Sequence, residues 1–185
     1  QTLFASNNGG SAGGAVYFDI AVAPGADILV TNLYQNVAGP GGSFNVAVYL
    51  TPSTHVGKEL TPGLWTLVAT GSGAAEAENT PSLVALSNRF TLQDGQSYGV
   101  AIVCNGLGHE YTDGTGTNEV YNDANLTMTF GRASNVAFTS PLITGERVWN
   151  GRFCYNRVGT LIIDSGPLAT NSSFSTGNYV AGTEF

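Results

Sequence analysis

The chain has 185 residues, 42% of them hydrophobic and only 10% charged, with a formal net charge of −7. Roughly a quarter of an ordinary globular protein is charged, so this surface must be solvated by Ser, Thr, Asn, Gln and Gly; Lys58 is the single lysine. Without basic clusters to displace counterions, the composition argues against nucleic acid and against anionic membrane surfaces as partners. No apolar run approaches the roughly 20 residues that cross a bilayer, so no membrane insertion is expected. A chain of this length buries about 70% of the surface its unfolded form exposes and needs no metal to fold. It begins at Gln1, which reads as a secreted, extracellular product whose signal has been removed.

In chain order the predicted elements are strands: "AVYFDIAVA" (15–23), "DILVTNLYQ" (27–35), "SFNVAVYLT" (43–51), "WTLVATG" (65–71), "LVALSNRFTL" (83–92), "SYGVAIVC" (97–104), "LTMTFG" (126–131), "GRFCYNRV" (151–158) and "TLIID" (160–164). Each is rich in β-branched and aromatic residues and bounded by Gly, Pro, Asn or Asp. "FNVAVYL" alternates cleanly, with Phe44, Val46, Val48 and Leu50 on one face. No window keeps helical spacing for three turns. The expectation is an all-β fold, an antiparallel β-sandwich of jelly-roll type. It divides into a sandwich domain at 1–158 and a final strand plus C-terminal tail at 159–185.

Candidate chemistry is sparse. "GGSAG" (9–13) matches G-x-S-x-G formally, but a nucleophile elbow needs a strand before it and a helix after it, and here a strand follows. Only His55 and His109 could act as a base, so no enzyme is expected. The irregular stretch 105–125 holds Asp113, Thr115, Asn118, Glu119, Asn122 and Asp123. Carboxylates and amides interleaved with glycine suit Ca²⁺, most directly at Asp113, Asn118, Glu119 and Asp123. The same residues would serve equally as Asx-turns capping the loop's own backbone, and no cofactor is required for folding. Trp65 and Trp149 offer a sugar-stacking platform or, as strand residues, core packing. Cys104 and Cys154 lie far from any CxxC spacing; in a secreted chain a disulfide is favoured over two buried thiols. Asn125 in "NLT" and Asn171 in "NSS" are glycosylation triplets.

"TLFASNNGGSAGGAVYFDI", "VYLTPSTHVGKELTPGLWTLVATGSG", "GVAIVCNGLGHEYTDGTGTNEVYNDANLTMTFG" and "RVWNGRFCYN" together resemble a poorly characterised β-sandwich module of secreted and surface-anchored bacterial proteins. The resemblance runs from about residue 2 to 156. It implies an all-β fold and an extracellular setting, and no catalytic residues. It also implies ordinary strand residues where Cys104 and Cys154 stand, so their joint departure favours the bridge.

Beyond the module lies "TNSSFSTGNYVAGTEF" (170–185). Residues 168–185 span up to about 60 Å when extended, and Phe174, Tyr179, Val180 and Phe185 are spaced to enter pockets. Such a segment suits strand addition to the exposed edge of a neighbour's sheet. A head-to-tail contact that does not close builds a filament. In this respect the chain resembles pilus-like subunits linked by donor strands, with "TLFAS" near the N-terminus as a second candidate donor. The expected function is a structural subunit of an extracellular bacterial filament, a homopolymer whose partner is itself. The alternative is a secreted carbohydrate-binding or adhesive module with glycans as partners.

Overall fold

The computed structural model describes residues 1–159. The expected strand 160–164, the sequon Asn171 and the tail residues Phe174, Tyr179, Val180 and Phe185 lie outside the described residues.

The strands are β1 (Asn8–Gly9), β2 (Gly14–Val22), β3 (Asp27–Gln35), β4 (Ser43–Pro52), β5 (Thr66–Ala74), β6 (Ser82–Leu86), β7 (Phe90–Leu92), β8 (Ser97–Asn105), β9 (Glu110–Asp113), β10 (Val120–Asn122), β11 (Leu126–Ser134), β12 (Arg147–Trp149) and β13 (Gly151–Val158). One 3₁₀ turn, Pro62–Leu64, precedes β5. Hydrogen bonding follows the order β1-β9-β12-β11-β2-β8-β4-β5-β6-β3-β13, with β10 on β11 and β7 on β3. The all-β expectation holds, and the pairing is one continuous antiparallel path. That path curls: Phe18 of the central β2 stacks on Trp149 at 5.5 Å and meets Phe153 of the terminal strand β13 at 6.4 Å.

Alternation decides which side chains fill the curl. Phe44, Val46, Val48 and Leu50 of β4 point inward, as their period-2 spacing predicts, and join Val16, Phe18 and Ile20 of β2, Val30 and Leu33 of β3, and Val100, Ile102 and Cys104 of β8. On the opposite, outer face of β2, β8 and β4 lies a smaller cluster of Ala15, Tyr17, Trp65, Ala101 and Val103, capped by Phe138 and Leu142. The segments 53–65 and 135–142 cover that face.

Two expectations change in detail. The run 83–92 is two strands, because Ser87 leaves the ladder: its N–H and hydroxyl both bond to Thr70 O. Within 105–125, β9 and β10 are short polar strands on the rim, which carry no alternation for sequence reading to find.

Candidate functional site

The curled sheet has a closed end and an open one. At the closed end the residues after β3 meet the strap 108–110. Val37 and His109 form an isolated bridge, Ala38 N donates to Gly108 O, Glu110 N to Asn36 O, and Gly10 N to His109 O. A rim of this kind must satisfy backbone groups that no ladder reaches, and buried amides do so. Asn36 and Asn150 are fully buried. Asn36 Nδ2 donates to Asn79 Oδ1 (3.0 Å) and Asn150 Oδ1 (3.3 Å), and Asn36 N donates to Asn150 O. Trp149 Nε1 donates to Gln35 Oε1 at 2.6 Å. Thr2 Oγ1 donates to Trp149 O at 2.6 Å and accepts from Gly151 N at 2.8 Å, which seats the N-terminal segment on its own domain.

His109 lies at the centre of this closure. It is 1% exposed and packs on Tyr111. Neither ring nitrogen has a hydrogen-bond partner among the described residues. Burial drives its pKa down to about 4. The glycines of "GGSAGG" make the room: a Cβ on Gly10 or Gly14 would run into the His109 ring. The G-x-S-x-G match is therefore a packing feature, with Ser11 exposed and its N–H donating to Asn135 Oδ1.

The second histidine pins a surface excursion. His55 Nδ1 and its backbone N both lie 2.7 Å from Asp19 Oδ1, and Thr54 Oγ1 donates to Asp19 Oδ2. Glu59 sits on the other side, 3.8 Å from Nε2. Burial alone would raise the Asp19 pKa, but the hydrogen bonds from His55 and Thr54 win and hold it below the usual range. This cluster ties 53–65 across β2 and brings Trp65 onto Tyr17, with the indole N–H bonded to Lys58 O.

The four candidate calcium ligands make hydrogen bonds to neighbouring groups. Asp113 Oδ1 accepts from Asn8 Nδ2 and lies 3.2 Å from Arg147 Nε. Asn118 Oδ1 accepts from Thr115 N, and Glu119 Oε1 from Gly116 N. Asp123 takes the N–H groups of Asn125 and Leu126 and the hydroxyl of Tyr155. Among the described residues no group of three His, Cys, Asp or Glu side chains is placed to hold a metal. The arrangement fits capping of the loop's own backbone.

Trp65 and Trp149 are buried, at 8% and 0% exposure, so neither offers a sugar a face. The expected Cys104–Cys154 bridge is absent and both thiols are free. Strand geometry gives the reason. Cys104 points into the core, where burial pushes its thiol up to about 12 and Sγ meets Leu107 O. On β13 the inward residue is Phe153, and Cys154 beside it turns to the outer face. Asn125 is half-buried, and its Nδ2 donates to Tyr155 OH at 3.1 Å.

At the open end two strands stop short of each other. Among the described residues β13 pairs with β3 alone and β10 with β11 alone. Between them is a narrow pocket of about 30 Å³ where polar Gln1, Asn122 and Asp123 meet Tyr121, Leu126, Met128, Phe153 and Tyr155. The Tyr155 hydroxyl reaches across it to Asp123 Oδ2 at 2.8 Å. No protein-family model matches the chain, and no curated protein matches it. Function is therefore argued from these residues.

Proposed function

We propose that this chain is a structural subunit of an extracellular bacterial filament or surface fibre, secreted and self-associating, in which the C-terminal segment of one copy adds as a strand to the sheet of the next. One observation carries the reading. Residues 1–159 carry a core drawn from both faces of the curl, yet their last strand keeps one side unpaired among the described residues, and 160–185 follow directly. An unpaired edge is a template for another backbone, and the tail's apolar residues are the kind that give strand addition its register. The curled sheet is read as a jelly-roll-like sandwich, supported by the layer of β3 and β13 that lays Phe153 on Phe18.

The test is deletion of residues 168–185. The shortened chain is expected to melt like the parent and stay monomeric by sedimentation, with no fibres in the electron microscope. Normal fibres from it would refute the proposal.

A second reading, glycan attachment, rests on a shallow open groove of about 480 Å³ over β8, β4, β5 and β6. Its lining includes Asn45, Asn105, Thr70, Ser72 and Ser87. Neutral amides and hydroxyls suit sugar hydroxyls, and the groove lacks a stacking ring. Retention on immobilised neutral polysaccharide, lost in Asn45→Ala/Asn105→Ala, would favour this reading over the first.

A further inference from the structure

We infer that the acceptor for the tail is the seam between β10 and β13, and that its occupant is residues 174–185 of a second copy. The inference rests on the strand-addition reading above and assigns that reading a place.

Unpaired edges occur elsewhere in the sheet, but they differ in length and lining. Strand β1 offers two residues and β7 and β10 three each, too few for a ladder on their own. Strand β13 runs for eight residues, Gly151–Val158. Its open side is competent to pair, because its first residue already does so: Thr2 N donates to Gly151 O at 3.0 Å. Among the described residues no backbone pairs with this side of β13 from Phe153 onward. That remaining stretch, Phe153–Val158, is about 20 Å long at strand rise.

The lining of the seam is mixed: Gln1, Asn122 and Asp123 stand beside an apolar strip on which a donor's side chains would land. Leu126, Met128 and Phe153 belong to the core and reach the seam at 5–8% exposure. Tyr121 and Tyr155 flank them, half-buried. The pocket holds only about 30 Å³ as it stands, and the feature that narrows it is the Tyr155 hydroxyl bonded to Asp123 and Asn125. Those are side-chain bonds at a partly exposed rim, and the Tyr155 ring can swing aside without breaking any ladder. Arriving aromatic side chains would replace the tyrosine over Leu126 and Met128, while the donor backbone supplies what β10 and β13 lack.

The occupant follows from what the chain has left. Residues 160–173 would span up to about 45 Å if fully extended, enough for a donor segment beyond them to reach another copy. Their composition, "TLIIDSGPLATNSS", is followed by the spaced apolar residues Phe174, Tyr179, Val180 and Phe185. In an extended segment Tyr179 and Phe185 share a face, so Tyr179 is the position to label.

The experiment places a photoreactive benzophenone side chain at Tyr179 in the full-length protein. Isotopically heavy and light subunits are mixed before assembly, irradiated, and the joined peptides mapped by mass spectrometry. Expected are heavy–light crosslinks from 179 to 121–128 and 152–158. Crosslinks between copies that fall on β1, on β7 or in the outer groove, or no crosslinks at the seam, overturn the assignment. So do crosslinks confined to one copy, which would mean the tail occupies its own seam. If deletion of 168–185 still abolishes fibres in those cases, the filament reading survives and only the seam is wrong. As a second variant, Tyr155→Phe removes the bond to Asp123 and keeps the ring. It is expected to speed assembly several-fold with the crosslink sites unchanged, and slower assembly counts against the gate.

Discussion

Acid should open this protein through His109. The imidazole is buried and has no hydrogen-bond partner among the described residues, and burial holds its pKa near 4 against 6.5 for the free side chain. Below pH 6.5 the unfolded chain takes up a proton that the folded chain refuses until about pH 4, so stability present at neutral pH is lost as pH falls through this window. Linkage puts the loss at about 2 kcal/mol by pH 5 and about 3 kcal/mol by pH 4, a large share of the roughly 5–15 kcal/mol that holds a domain together. The carboxyl of Glu110 works the other way: burial, then Glu78, push its pKa up. The informative quantity is therefore the difference from a variant that keeps Glu110. His109→Phe preserves a flat ring against Gly10 and Gly14 and cannot be protonated. Urea unfolding of both proteins, followed by tryptophan emission at pH 7.5, 6, 5 and 4, should show the parent losing about 3 kcal/mol more than the variant across the series. The pH dependence is the readout, because overpacking by a larger ring lowers stability at every pH alike. If His109→Phe shows the same dependence as the parent, His109 is not the group responsible.

Gly14→Ala should destabilise the fold by roughly 1–3 kcal/mol in thermal melts, because its Cβ would stand 2.5 Å from Ser134 O and 2.6 Å from the His109 ring. Asp19→Asn loses charge-assisted bonds to His55 and Thr54, worth about 1.5–3 kcal/mol each; Trp65 emission should shift to the red and quenching by iodide should rise. In the parent, the depressed pKa of Asp19 means this anchoring persists above the ordinary carboxylate range and is lost as pH falls below it. Alkylation in denaturant without reductant should add two labels per chain, and in the folded protein Cys104 should be protected; uptake of none would restore the disulfide. Melting midpoints should be equal with calcium and with chelator, since Asp113, Asn118, Glu119 and Asp123 already serve neighbouring groups; a rise with calcium would show a site.

Much of the sheet was legible because strand periodicity is a local signal. The spans 27–35 and 151–158 match β3 and β13 residue for residue, and the inward face of β4 is the one its alternation names. What was not legible depends on where distant segments meet. Gln35, Asn36 and Asn150 look like ordinary polar strand ends, and only closure of the curl buries them. His109 lay in a glycine-rich loop with no second ligand, and nothing local ties it to glycines at 10 and 14. Sequence spacing says nothing about which way a cysteine faces, and it is Phe153 turning inward that sends Cys154 outward. Trp65 and Trp149 fit a sugar platform or core packing by sequence, and burial selects packing.

The two ends of the curl solve the same problem by different means. A sheet that bends around one core must either close on itself or leave strand edges, and each choice has a chemical signature. At the closed end the rim strands are too irregular for a ladder, so side chains that both donate and accept take its place: Asn36, Asn150, Gln35 and Thr2. These groups specify one partner geometry and leave no room for another chain. At the open end an eight-residue strand, β13, faces the three-residue β10, and between them an apolar strip is edged by Gln1, Asn122 and Asp123 with the Tyr155 hydroxyl across it. Backbone pairing accepts any extended segment of suitable side chains, so an edge of this kind is selective only through its pockets. With 10% of residues charged, few ion pairs are at hand to guard that edge or to choose its partner. If the tail pairs there as proposed, selectivity would have to come from apolar fit between its spaced aromatics and Leu126, Met128 and Phe153.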